Sequence, residues 1–77
     1  MLNKRLNETR KKKGFTAQNM ADMLGMMVRS YQFYEGGHRS PPLGTLVKIA
    51  DILEVPTDYL LGRDDYLESI GVSVDEY

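Results

Sequence analysis

The chain reads as an all-α domain of five short helices closed by a short acidic tail. Three observations predict this. Apolar residues recur at helical spacing, and no alternating stretch is long enough to be a strand. Gly14, Gly25, Gly36-Gly37 and Gly62, with Pro41-Pro42 and Pro56, cut the chain into pieces of helix length. The connections between those pieces are about two to eight residues, as in a compact helical domain.

Helix one is expected over Leu2 to Lys13, with Leu2 and Leu6 on one face. Arg10 to Lys13 crowd its last turn, where cations complement the helix dipole, and Gly14 ends it. Thr16 is a good N-cap for helix two, Ala17 to Leu24, and Phe15 and Met20 stand at the two positions of a hydrophobic staple. Gly25 supplies the left-handed residue that stops this helix. Helix three spans Val28 to Glu35 and ends at Gly36-Gly37. Helix four spans Leu43 to Leu53, with Leu46, Val47, Ile49, Ala50 and Leu53 as its buried stripe. Pro56 opens helix five, Thr57 to Leu61, and Gly62 closes it.

The 77 residues make one small domain, for which a marginal core or a partner subunit is the norm. Zero cysteines exclude disulfides and thiolate metal sites, and a single histidine, His38, excludes a multi-histidine metal centre. No cofactor is expected. Nor is an enzyme, since there is no nucleophile–base constellation and no Gly-rich phosphate loop. The basic N-terminus lacks the apolar run of a signal peptide, and no segment is apolar enough to span a bilayer, so a cytoplasmic protein without membrane contact is expected.

Net charge is −1, but its distribution is uneven. Residues 1–50 hold nine Lys or Arg against three acids, a balance of +6. Residues 51–77 hold Arg63 against eight acids, a balance of −7. A basic front and an acidic back point to nucleic-acid binding at the basic end.

The stretch Thr16 to Pro42 carries the most specific signal. Two short helices meet at Gly25, and a basic loop follows. Ala21 falls where the helices cross most closely, and a bulky side chain there would push them apart. Met20, Leu24, Met26, Tyr31 and Tyr34 form the inward face. This is the layout of a helix-turn-helix, which places its second helix in the DNA major groove.

These residues carry a resemblance to a known family. Lys13-Gly14-Phe15-Thr16, Met20-Ala21, Leu24-Gly25, Tyr34-Glu35, Gly37, Pro41, Leu43, Thr45-Leu46, Ile49-Ala50, Leu53, Val55 and Asp58-Tyr59-Leu60-Leu61-Gly62 resemble the phage-repressor, Cro/CI-type or XRE group of helix-turn-helix domains. The resemblance runs from Leu6 to Gly62 without an insertion. It implies a five-helix lambda-repressor-like domain over residues 1–62, with the helix-turn-helix at about 17–36. It also implies a homodimer on a two-fold symmetric operator, and an ion pair between Arg10 and Glu35 joining helix one to helix three. The chain departs from the pattern in four places. Ala17 replaces the usual Gln, with Gln18 next. Met27 stands where a Ser or Thr caps helix three, Pro42 where a Ser caps helix four, and Gly44 where an acid is usual.

On helix three the outward face carries Val28, Arg29, Gln32 and Phe33. Arg29 suits a bidentate contact to guanine and Gln32 a contact to adenine, while Val28 and Phe33 suit thymine methyls. Backbone contacts are expected from Arg10, Lys13, Gln18, His38, Arg39 and Ser40, and from amides near Ala17 and Gly37. These supply affinity and register without specificity. Among the methionines, Met23 and Met27 are the exposed candidates.

The tail, residues 63–77, offers Tyr66, Leu67 and Ile70 as a short amphipathic turn, packing on the domain or across a dimer; a frayed acidic end is the alternative. A symmetric dimer through about Pro56 to Ile70 is the expected assembly. The function read from these features is a sequence-specific DNA-binding transcriptional regulator, a repressor of phage, prophage or mobile-element genes found on the nucleoid when bound. The alternative is a protein-interaction module or antitoxin on the same fold, with weakened base reading and a protein partner.

Overall fold

The computed structural model describes residues 2–77; Met1, the first residue of the domain read from the sequence, lies outside them. The described residues form six α-helices and no strand: α1 Leu2–Lys12, α2 Ala17–Leu24, α3 Val28–Glu35, α4 Leu43–Leu53, α5 Thr57–Leu60 and α6 Asp64–Ser69. A 3-10 turn, Val74–Glu76, follows. The first five match the expected helices to within one residue at each end. The tail is not frayed: it supplies α6, whose Leu67 is only 2% exposed.

The glycine signals act as the sequence suggests. Gly25 takes φ 68° and ψ 36°, and the Met26 N–H reaches back to the Ala21 carbonyl at 3.0 Å. That left-handed closure turns the chain sharply from α2 into α3. The start of α2 is fixed from both sides. The Thr16 hydroxyl accepts the Asn19 N–H, and the Asn19 side chain accepts the Thr16 N–H, each at 3.0 Å. Asn here fills the place of the usual Glu or Gln in a capping box. Met27 and Pro42, as expected, give no side-chain cap to α3 and α4.

One core joins the elements. Leu6 of α1, Met20 and Ala21 of α2, Tyr31 and Tyr34 of α3, Leu46, Ile49, Ala50 and Leu53 of α4, then Val55 and Leu60, are all buried. α3 packs on α2 and α1, α4 on α2 and α5, and α5 on α1 and α6. One expectation needs correction. Val47 is 50% exposed, because Leu46, Ile49, Ala50 and Leu53 already complete the inward stripe and Val47 lies about 100° round the helix from Leu46. Leu24 and Met26, on the inward face as expected, are partly buried and pack against this core.

α4 has glycine at the wrong end. Gly44 sits in its first turn with open space where a Cβ would go, while the left-handed residue after its last turn is Glu54, at φ 57°. Among the described residues no other non-glycine has positive φ. Gly44→Ala and Glu54→Gly are each expected to stabilise the fold by about 0.5–1 kcal/mol. A higher urea midpoint with unchanged m value would show it.

Candidate nucleic-acid interface

α3 is held against α1 by an ion-pair network. Arg10 Nε donates to Glu35 Oε2 at 2.6 Å, Arg10 Nη2 to Glu35 Oε1 at 3.0 Å, and Arg10 Nη1 to the Phe15 carbonyl at 2.9 Å. Asn7 Nδ2 adds a bond to Glu35 Oε1 at 2.6 Å. The side chains of the pair are 12% and 9% exposed. Burial alone would raise the Glu35 carboxyl, but the hydrogen bonds from Arg10 and Asn7 outweigh it and hold it below the usual range. The hydrogen bonds that Arg10 donates to Glu35 likewise raise Arg10 above its ordinary value. The Tyr31 hydroxyl is buried beside the pair without a hydrogen bond of good geometry, and burial followed by the Glu35 carboxylate pushes its pKa up. Each guanidinium nitrogen of Arg10 is committed inside the domain, so this residue is a strut between α1, α3 and the α1–α2 turn. Asn7 was missed from sequence; its i, i+3 spacing to Arg10 is the signal that places both on one face.

The outward residues of α3 divide. Arg29 and Gln32 are exposed, and among the described residues neither side chain makes a protein hydrogen bond. Val28, expected on the outward face, is half-buried and packs against the core. Side chains on a helix lean toward its N-terminus, and this first residue of α3 therefore leans over the turn beneath it. Phe33 is half-buried too. Its ring meets His38 edge-on, with centroids 6.2 Å apart, and the Arg39 guanidinium carbon lies 5.9 Å from its centre.

Around this face lie the groups expected to meet phosphate. Lys13, His38, Arg39 and Ser40 are exposed. The capping box takes the N–H groups of Thr16 and Asn19, which leaves those of Ala17 and Gln18 in the unpaired first turn of α2. Such amides suit an anion. The Gln18 side chain instead donates to Asp22 Oδ1 at 2.8 Å. Gly37, at φ 78°, gives its N–H to the Tyr34 carbonyl at 3.3 Å, closing α3. Met23 and Met27 are exposed as expected, at 48% and 75%.

Three further observations frame the site. No helix among the described residues is long and apolar enough to cross a membrane. No cluster of His, Asp or Glu among them has the arrangement of a metal site. The acidic segment packs on α5, and Asp64 is paired with Arg5 of α1 at 2.5 Å.

The family model described as helix-turn-helix matches residues 6–60. The chain is similar to the HTH-type transcriptional regulator AnsR of Bacillus subtilis, 45% identical over 60 residues, covering 78% of this chain and 52% of that protein. It is similar to the SPbeta prophage-derived HTH-type transcriptional regulator YonR of the same organism, 46% identical over 61 residues, covering 79% and 56%. It is also similar to the cryptic phage CTXphi transcriptional repressor RstR of Vibrio cholerae, 44% identical over 62 residues, covering 80% and 55%. The chain spans about half the length of the curated relatives it matches. No solved structure matches it. The α2–turn–α3 geometry and these matches agree: the chain belongs to the XRE-type helix-turn-helix family, the phage-repressor group that its sequence resembles.

Proposed function

We propose that the protein is a sequence-specific DNA-binding transcriptional regulator, a repressor of phage, prophage or mobile-element genes that acts in the cytoplasm on the nucleoid. One observation carries the reading. α3 leaves Arg29 and Gln32 exposed, in a helix-turn-helix whose α2 start has open amides and whose following loop 38–40 is exposed and basic. In the major groove Arg29 would pair with guanine O6 and N7 and Gln32 with adenine N6 and N7. Lys13, His38, Arg39, Ser40 and the amides of Ala17 and Gln18 would fix register on phosphates. The names of the relatives, which include a phage repressor and a prophage-derived regulator, support the choice of repressor.

A homodimer on a palindromic operator fits the exposed apolar side chains of Leu61, Tyr66 and Ile70 around α5 and α6. Two-fold pairing there would set two copies of α3 about one DNA turn apart.

Arg29→Ala is expected to erase preference at one base pair per half-site, a loss of about 1–3 kcal/mol in discrimination, with little change on random duplex. Lys13→Ala is expected to weaken every sequence equally and to reduce the salt slope by about one. Sequence selection on the variants separates the roles. Uniform weakening by Arg29→Ala would make Arg29 a phosphate ligand and remove it from the reading set.

A further inference from the structure

We propose that Phe33 is a positioning residue: its ring is the platform that holds the basic loop against the DNA backbone, rather than a reader of thymine. The proposal rests on α3 being the DNA-facing helix and assigns how the phosphate ligands beside it are set in place.

Four observations converge. The Phe33 ring takes the His38 imidazole edge-on, at 6.2 Å between centroids and 76° between planes. The Arg39 guanidinium lies over the same ring at 5.9 Å, within the range of a cation–π contact. The Phe33 carbonyl accepts two loop amides, His38 N–H at 3.0 Å and Arg39 N–H at 3.2 Å, so main chain and side chain of one residue anchor both cations. The two glycines make room for this arrangement. A Cβ on Gly36 would stand 2.9 Å from His38 Cδ2, and one on Gly37 would stand 3.2 Å from Asn3 Nδ2 of α1. The loop therefore runs in a slot with α1 on one side and the Phe33 ring on the other.

The physical consequence is a division of labour. An exposed Arg or His on a loop loses side-chain entropy when it meets a phosphate. A guanidinium already resting on an aromatic face loses less. A ring that contacts both His38 and Arg39 has less of its surface left for a base edge. Phe33 thus supplies affinity and salt dependence through its neighbours, and sequence preference stays with Arg29 and Gln32.

The test uses the full chain, a random-sequence duplex, and the site enriched by selection. Phe33→Leu keeps an apolar side chain able to touch a thymine methyl but removes the aromatic face. The expected result is a loss of about two- to fivefold on both duplexes, the size of an exposed cation–π contact. A salt slope lowered by up to about one and an unchanged enriched sequence are expected with it. Phe33→Tyr restores the slope. Arg39→Ala in the Phe33→Leu background costs less than in the wild type, since the two act as a unit. Gly36→Ala, which leaves Phe33 in place and raises helix propensity at a residue of ordinary φ, is expected to retain or raise thermal stability while lowering affinity. It serves even if Phe33→Leu folds poorly. A changed base preference for Phe33→Leu with its salt slope intact would overturn the proposal and make Phe33 a reader. Unaltered affinity for Gly36→Ala would also overturn it. Salt-independent or absent binding by the wild type would instead bring down the DNA-binding reading on which the proposal stands.

Discussion

Glu35→Ala is expected to lower stability by about 3 kcal/mol and to cost DNA binding with it. The substitution leaves Arg10 charged and nearly enclosed, and it strips Asn7 of its acceptor. Removing one partner of a buried pair is far more damaging than the net value of the pair. The damage reaches function because the network ties α3 to α1, and α3 carries Arg29 and Gln32. A double replacement by apolar residues of similar size, Arg10→Met with Glu35→Leu, is expected to recover much of the loss. Urea unfolding of the three variants checks this. A cost below about 1 kcal/mol for Glu35→Ala would place the pair among ordinary surface salt bridges. The same pair sets the acid limit of the fold. The folded-state pKa of Glu35 lies below its ordinary value of 4.5, so its contribution is fully present above that value and is lost as the pH falls through the folded pKa. Asp64 is held low by its hydrogen bonds from Arg5 and acts in the same direction. Stability should decline on acidification below about 4.5, and more gently in Glu35→Gln.

Leu67→Ala is the second large effect, at about 2–3 kcal/mol, the cost of emptying a buried leucine site. Around it α6 is fastened at long range. Arg5 reaches Asp64 with two hydrogen bonds and the Tyr59 carbonyl with a third, and its guanidinium also lies 4.4 Å over the Tyr59 ring. The Tyr77 ring packs on Tyr59 at 4.9 Å between centroids, so the segment after α6 folds back over α5. Ile70→Ala, at a position 56% exposed, should move stability by no more than about 0.5 kcal/mol when measured at dilution. Equal small effects at both positions would mean that the acidic segment does not dock.

The helices were legible because local chemistry marks their ends. Thr16 caps α2, and Gly14, Gly25, Gly37 and Gly62 all take left-handed conformations at or just past helix ends. The helix-turn-helix was legible because size constraints at Ala21 and backbone constraints at Gly25 fall in one register with the inward tyrosines. α6 was harder to read. Its single buried anchor, Leu67, is set among Asp64, Asp65 and Glu68, and the partner that fixes it, Arg5, is far away in sequence. The end of α4 carries no glycine, since Glu54 takes the left-handed position itself. At the interface, residue type pointed to exposed cations, but not to which were already engaged. The family resemblance implied the Arg10–Glu35 pair, but only the fold shows that Arg10 is also held by the Phe15 carbonyl, that Gln18 turns to Asp22, and that the Phe33 ring contacts His38 and Arg39.

Reading of a specific DNA sequence by α3 in the major groove is open to a direct test. Selection from a random duplex pool, followed by a salt titration on the enriched and the random duplex, tests it most directly. The account predicts an enriched palindrome with half-sites about ten base pairs apart, bound at least about a thousandfold more tightly than random duplex. Weak binding that vanishes with salt and enriches no sequence would contradict it, leaving the basic face a non-specific electrostatic surface.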